Sequence, residues 1–179
     1  MNEKSSVRAE VQFGTAVKFP VSVPVIVIGA GACGLIAALA AHDAGFEALV
    51  LERDAKPSGS TALSSGFIPA CQTRWQAAVG VSDSVGLMVD DILRKTKDLT
   101  DPGYVEVLCR ESGRTLEWLS DSHGLNFTLG TGFTYPGQSA LRMHAVPART
   151  GRALIDGLSS AAVDAGIEIV TNATVECLF

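Results

Sequence analysis

A run of β-branched residues that ends in closely spaced glycines constrains this chain more than any other feature. Residues 23–34 read V-P-V-I-V-I-G-A-G-A-C-G. Val23, Val25, Ile26, Val27 and Ile28 carry no charge and have the composition of a central parallel strand covered on both faces. A helix could also be apolar, but Pro24 and the glycines after Ile28 favour a strand. Gly29, Gly31 and Gly34 then spell G-x-G-x-x-G. In such a turn the first glycine lets the chain reverse tightly, the second lets a pyrophosphate approach the backbone, and the third lets helix and strand pack closely. Amide hydrogens at the start of the following helix would face the phosphates.

The triplet alone is a weak signal, and its surroundings strengthen it. Residues 35–44 are rich in helix formers, with Gly45 placed as a C-cap. Glu47 to Leu51 reads as a second strand ending at Glu52, about twenty residues past the glycines, where the dinucleotide fingerprint has its acidic residue. A carboxylate there can accept hydrogen bonds from both hydroxyls of an adenosine ribose, each contributing roughly 1.5–3 kcal/mol. The plain alternative is a solvated glutamate at a strand end.

Hydrophobic residues make up 47% of the 179 residues and charged ones 18%, which predicts a core-rich globular domain rather than a disordered segment. A net charge of −5 with no basic block argues against a nucleic-acid surface. The longest apolar stretch, residues 35–41, is far short of the ~20 residues that cross a bilayer, so no membrane span is expected. Residues 1–10 lack an apolar signal core, and a cytoplasmic protein is expected. Cys33, Cys71, Cys109 and Cys177 are scattered without a C-x-x-C pair, which predicts free thiols, three of them in the core, with no disulfide framework and no metal site.

Taken in order, residues 1–22 read as an N-terminal arm whose alternating pattern from Val11 to Phe19 allows a short edge strand. Residues 53–70, rich in Pro, Gly and Ser, read as a loop lining the ligand crevice, with a plain surface linker as the alternative. Helices are predicted over 85–98 and from Pro102 to His123, the second with Asp101 as N-cap and Gly124 as terminator. Tyr104, Leu108, Leu116, Trp118 and Leu119 are read as core or interhelical packing. Residues 130–141 read as a loop, and Arg142 and His144 alternate on an extended segment, either as structural groups or near a ligand. His42 and His123 are expected at a helix surface and a helix end respectively. A helix over 152–165, a strand over 167–170 and another over 175–179 complete the chain.

The stretches G-A-G-A-C-G, V-L-E-R and G-S-T-A-L-S-S-G-F-I-P-A together resemble the flavoproteins of the fumarate reductase and succinate dehydrogenase group. Asp101-Pro102, Glu117-Trp118-Leu119, residues 124–127, Arg142-Met143-His144 and Arg149-Thr150-Gly151 extend the likeness over 23–179. The resemblance implies an α/β, Rossmann-like FAD/NAD(P)-binding fold with a central parallel sheet, incomplete as an N-terminal portion cut before a capping domain. It places the turn from Gly29 through Ala30, Gly31, Ala32, Cys33 and Gly34 under the FAD pyrophosphate. Glu52, with Arg53 beside it, falls at the adenosine ribose, and Val175 offers its backbone to the adenine edge. Ser60 and Thr61 match positions near the pyrophosphate and ribityl chain, and Ser65, Gly66 and Phe67 the segment beside the flavin ring. Membrane-bound members carry a flavin-linked histidine where this chain has Ser60, and serine cannot form that bond, so non-covalent FAD is expected.

The implied activity is hydride transfer between flavin N5 and a carbon–carbon bond next to a carbonyl or carboxylate of a small-molecule substrate, with an electron donor or acceptor as partner. Catalytic residues are expected beyond Phe179. The same loop also resembles the ketosteroid dehydrogenases, and a non-catalytic FAD-binding fragment is the other alternative. A nicotinamide-binding domain fits less well: Glu52 beside Arg53 would repel a 2′-phosphate, and such a domain would run directly into a third strand.

Overall fold

The computed structural model describes residues 10–11 and 19–178. In chain order the elements are β1 (Glu10–Val11), β2 (Val25–Ile28), α1 (Ala32–Asp43), β3 (Ala48–Leu51), α2 (Gly59–Leu63), β4 (Ile68–Pro69), α3 (Arg74–Ala78), α4 (Val85–Thr96), α5 (Pro102–His123), β5 (Thr128–Leu129), β6 (Met143–Ala145), α6 (Gly151–Asp164), β7 (Glu168–Val170) and β8 (Cys177–Leu178). They fall into two compact units, one running to Ser60 and resuming at Leu158, the other spanning Thr61–Gly157.

In the first unit β2, β3 and β7 form a parallel sheet in that order, with Val27 opposite Val50 and Val50 opposite Ile169. Parallel neighbours need a crossover, and α1 supplies it between β2 and β3. Leu35, Ala38 and Leu39 recur at helical spacing and are fully buried. The helix begins at Ala32, earlier than the run of strong helix formers suggests, because Gly31 is its extended N-cap and feeds the turn straight into the first helical residue. Its N-terminus therefore stands at the glycine turn.

The sequence reading of β2 as a central strand covered on both faces needs correction. β3 holds the middle of the described sheet, and β2 pairs with β3 alone among the described residues. Ile26 and Ile28 are 54% and 55% exposed, so only one face of β2 is covered. β1 pairs in parallel with β8 through Glu10 and Cys177. The rest of the expected edge strand, residues 12–18, lies outside the described residues, and Val175 precedes β8 rather than belonging to it.

In the second unit α4 and α5 pack around Cys71, Met88, Val105 and Cys109. A Cβ at Gly113 would collide with the Cys71 carbonyl, so the glycine lets α5 close on that segment. Asp101 caps α5 by accepting the Tyr104 amide at 2.8 Å, and Gly124 ends it with φ +70. β4, β6 and β5 form a small antiparallel sheet in that order.

Several expectations fail in this unit. Residues 53–70 are not loop throughout, since they contain α2 and β4. The helix α3 has no long apolar period and rests on a capping box in which Thr73 and Gln76 satisfy each other's backbone. Tyr104 and Leu108 are 62% and 51% exposed, because the buried stripe of α5 runs through Val105, Cys109, Leu116 and Leu119 instead. Two cysteines, Cys71 and Cys109, are buried rather than three.

Candidate functional site

The three glycines of the turn serve three different purposes. Gly29 has φ +98, a region that side chains disfavour, and its amide donates to the Leu51 carbonyl at 2.8 Å. A Cβ at Gly34 would collide with the Gly29 carbonyl and stand 3.1 Å from Val27 Cγ1, so this glycine is required for helix and strand to pack. Gly31 is required by neither, since its φ of −74 suits any residue and a Cβ there would meet nothing within 4 Å. A side chain at Gly31 would meet only open space at the N-terminus of α1, where a phosphate group would approach the backbone.

Glu52 is 8% exposed, which removes the reading of a solvated strand end. One carboxylate oxygen accepts the Ala30 amide at 2.8 Å and the other the Asp54 amide at 2.9 Å. Each oxygen retains a second lone pair, so the pair of oxygens can still receive two hydroxyls. Glu52 is held at both backbone groups as well, its amide donating to Val170 and its carbonyl accepting from Ala173, at 2.8 and 2.9 Å. The structure thus brings Gly29, Ala30, Gly31, Ala32, Gly34 and Glu52 together at one turn. Cys33, the second residue of α1, is exposed. Arg53 points away into solvent, its side chain 76% exposed and paired with Asp54 at 3.6 Å. Val175 lies half-buried in the irregular stretch before β8.

Ser60 and Thr61 sit in α2, Ser60 exposed and Thr61 half-buried. Beyond them the segment that holds Ser65, Gly66 and Phe67 interlocks with the start of α6. Gly66 has φ +69, and a Cβ on it would lie 2.7 Å from the Thr150 carbonyl carbon and oxygen. A Cβ on Gly151 would collide with the Thr61 carbonyl, and the Gly151 amide donates to the Ser64 carbonyl at 2.9 Å. Thr150 Oγ1 accepts the Ala153 amide at 3.2 Å and caps the helix. Ser65 remains exposed, while Phe67 is half-buried and meets Phe133 edge to face at 5.7 Å. The structural parts of Ser64 and Thr150 were missed by sequence reasoning, although Thr-Gly ahead of a helical period is a cap signal.

Arg142 and His144 are both buried, at 1% and 0% exposure, and both are fully engaged. The Arg142 guanidinium forms a fork on Asp83, with both bonds at 2.7 Å, and reaches Asp91 at 2.5 Å. Burial alone would raise the Asp91 carboxyl, but hydrogen bonds from Ser139, then Arg142 and Arg94, outweigh it and hold it well below the usual carboxylate range. His144 Nδ1 lies 2.8 Å from the Arg142 carbonyl and must donate to it, which leaves Nε2 to accept from Thr73 Oγ1 at 2.9 Å. Burial lowers the His144 pKa, so the neutral ring is the stable form. Asp83, Asp91 and Gln76 escaped the sequence reading because no local spacing links them to Arg142. A cavity of ≈ 120 Å³ borders Asp91 and Arg142, well below the roughly 300 Å³ at which small-molecule pockets begin.

A parallel βαβ unit with this turn and a buried carboxylate after its second strand defines a dinucleotide-binding protein. The FAD binding domain family matches residues 24–179, and the chain belongs to that family. It is 30% identical over 159 residues to the NADH:fumarate oxidoreductase of Klebsiella pneumoniae, a match covering 88% of this chain and 17% of that protein. The open form of a flavocytochrome c3 fumarate reductase superposes with a TM-score of 0.76 and 30% identity, over 84% of this chain and 26% of the other. A 3-ketosteroid-Δ4-(5α)-dehydrogenase from Rhodococcus jostii does so with a TM-score of 0.74 and 26% identity, over 88% and 39%. The chain thus spans about a sixth to two fifths of these relatives. No helix among the described residues is long and apolar enough to cross a membrane.

Proposed function

We propose that this chain is the N-terminal part, residues 23–179, of the FAD-binding domain of an oxidoreductase that holds FAD without a covalent bond and acts on a small-molecule substrate. The observation that carries the reading is Gly31, a glycine that neither backbone conformation nor packing requires. FAD, when bound, supplies hydride transfer at its ring to or from a carbon–carbon bond beside a carbonyl or carboxylate. The turn would hold the pyrophosphate with amide hydrogens from Gly31 to Gly34 and the positive end of α1, while Ala30, its amide donated to Glu52, fixes the shape of the turn. Glu52, already fixed by two amides, offers its remaining lone pairs to the adenosine ribose. Ser60 and Thr61 supply hydroxyls near the pyrophosphate and ribityl chain, and Val175 a backbone edge for adenine. Ser65, Gly66 and Phe67 line the ring. Ser60 stands where a covalent linkage would need a nucleophilic ring nitrogen, which a hydroxymethyl group does not provide.

We infer that the residues that bind and protonate the substrate lie beyond Phe179. Arg142 and His144, the polar pair nearest in sequence to such a role, have their hydrogen-bonding groups committed to Asp83, Asp91, Thr73 and a carbonyl. A carboxylated alkene such as fumarate is the first substrate class, supported by the 30% identity to the Klebsiella fumarate oxidoreductase. A 3-ketosteroid is the second, supported by the Rhodococcus dehydrogenase at a TM-score of 0.74.

The test uses the full-length protein. It should purify yellow, release its flavin on acid denaturation, and be reoxidised after dithionite reduction by fumarate more readily than by a 3-keto-4-ene steroid, each accepting the hydride at its conjugated double bond. Yellow colour that stays with the denatured polypeptide overturns the non-covalent assignment, and tight NADP binding without flavin overturns the cofactor.

A further inference from the structure

Ser65–Phe67 runs directly into β4, which is only Ile68–Pro69. Two residues, one of them a proline without an amide hydrogen, cannot set their own register. Their place is set by β6, through the pairs Ile68 with His144 and Pro69 with Met143, and by the bond from the Ala70 amide to the Arg142 carbonyl at 3.0 Å. That same carbonyl accepts His144 Nδ1 at 2.8 Å. Arg142, at the head of β6, is in turn pinned by Asp83 and Asp91. Asp91 also accepts the amide and hydroxyl of Ser139, both at 2.6 Å, and a bond from Arg94. Asp83 also accepts Gln76 Nε2 at 2.9 Å.

Such a cluster is not a cheap source of stability, since well-packed apolar residues of similar volume often serve as well or better. What it does provide is geometry: a planar guanidinium engages two carboxylates at fixed angles, which a lysine cannot reproduce. We propose that Arg142 is a positioning residue for the cofactor ring: held between Asp83 and Asp91, it fixes β6, and through the two-residue β4 it fixes where Ser65, Gly66 and Phe67 stand. Gly66, packed on Thr150, anchors the other side of the same segment. The inference rests on the FAD reading given above and assigns Arg142 no contact with substrate.

The experiment compares the full-length, FAD-loaded protein with R142K, D91N and the core variant M88A. Melting temperature, FAD and ADP affinities, the visible flavin spectrum and the flavin midpoint potential are measured for each. In R142K the ADP affinity should stay within about twofold, while FAD binds roughly tenfold more weakly and both spectrum and potential shift. M88A should lower the melting temperature and leave the flavin signals unchanged. An R142K protein with a lower melting temperature but wild-type spectrum, potential and FAD-to-ADP ratio overturns the proposal. Should R142K fail to fold, D91N decides by the same readouts, because it is nearly isosteric and keeps the fork on Asp83. A wild-type protein that carries no flavin sinks the FAD reading instead, and the two failures are distinguishable.

Discussion

At the scale of single residues, Gly31 and Gly34 are three positions apart in one turn, and the structure assigns them opposite sensitivities. Alanine at Gly31 meets open space at an ordinary φ, so stability should change by no more than about 1 kcal/mol while FAD affinity falls more than roughly tenfold. Alanine at Gly34 meets the Gly29 carbonyl and should cost about 1–3 kcal/mol or prevent folding. Thermal melts and flavin titrations of the two variants read this directly; a G31A protein that binds FAD as tightly as wild type would remove the main support for the FAD reading. The spacing of the glycines was visible in the sequence, because each backbone requirement there is local. The burial of Glu52 was not, because it depends on amides from Ala30 and Asp54 that only the closed turn brings to it. Cysteines divide in a similar way. Burial, then the neighbouring Cys71, pushes Cys109 up to about 11, and burial followed by Asp83 raises Cys71. A thiol reagent at neutral pH should therefore modify Cys33 and Cys177 in the folded protein and reach the other two only on denaturation. FAD should protect Cys33, so equal labelling rates with and without FAD would count against the site.

Elements with long amphipathic periods and local caps could be read ahead of the structure, as the ends of α5 show: Asp101, Pro102 and Gly124 sit where their backbone preferences require. Of the short elements, β6 was legible as an extended segment that alternates Arg142 and His144, and β4 was not, because its two residues are placed by pairing with β6. The pinning of Arg142 by Asp83 and Asp91 was not legible either, because no local spacing links them. That pinning makes the stability of the second unit depend on pH. His144 has its folded pKa depressed by burial, so its contribution is fully present above the unfolded value of about 6.5 and is lost as pH falls through the lower folded value. Asp91 is depressed as well, and its contribution is present above about 3.9 and is lost below it as the carboxyl protonates. Urea midpoints should accordingly decline from near neutrality downward and again in the acid range. His144→Asn, which cannot titrate, should flatten the first decline and leave the second; an unchanged slope between pH 7 and 5 would show that another group controls it.

On the scale of the whole molecule, the sheet order β2-β3-β7 puts the strand that carries the glycine turn at an edge of the described sheet. A strand so apolar is expected in the middle, and the discrepancy has a physical reading. Ile26 and Ile28 are each more than half exposed, and Phe19 and Val21, earlier on the same unit, are 62% and 70% exposed. An uncovered β-branched edge of this kind is a template for further pairing and a surface that water disfavours. In the full-length protein, chain that follows in sequence is expected to cover it, in keeping with the small share of each relative that these residues span. Residues 1–179 expressed alone should therefore self-associate as concentration rises and bind an apolar dye such as ANS. Ile26→Thr with Ile28→Thr, which keeps β-branching while adding hydroxyls on the exposed face, should reduce both signals. The full-length protein should show neither, and its amides along β2 should exchange with solvent more slowly than those of the isolated chain. Dye binding and light scattering that are equal in the isolated chain, the double variant and the full-length protein would mean that β2 is an edge by design, and that its apolar face serves something other than the completion of the sheet.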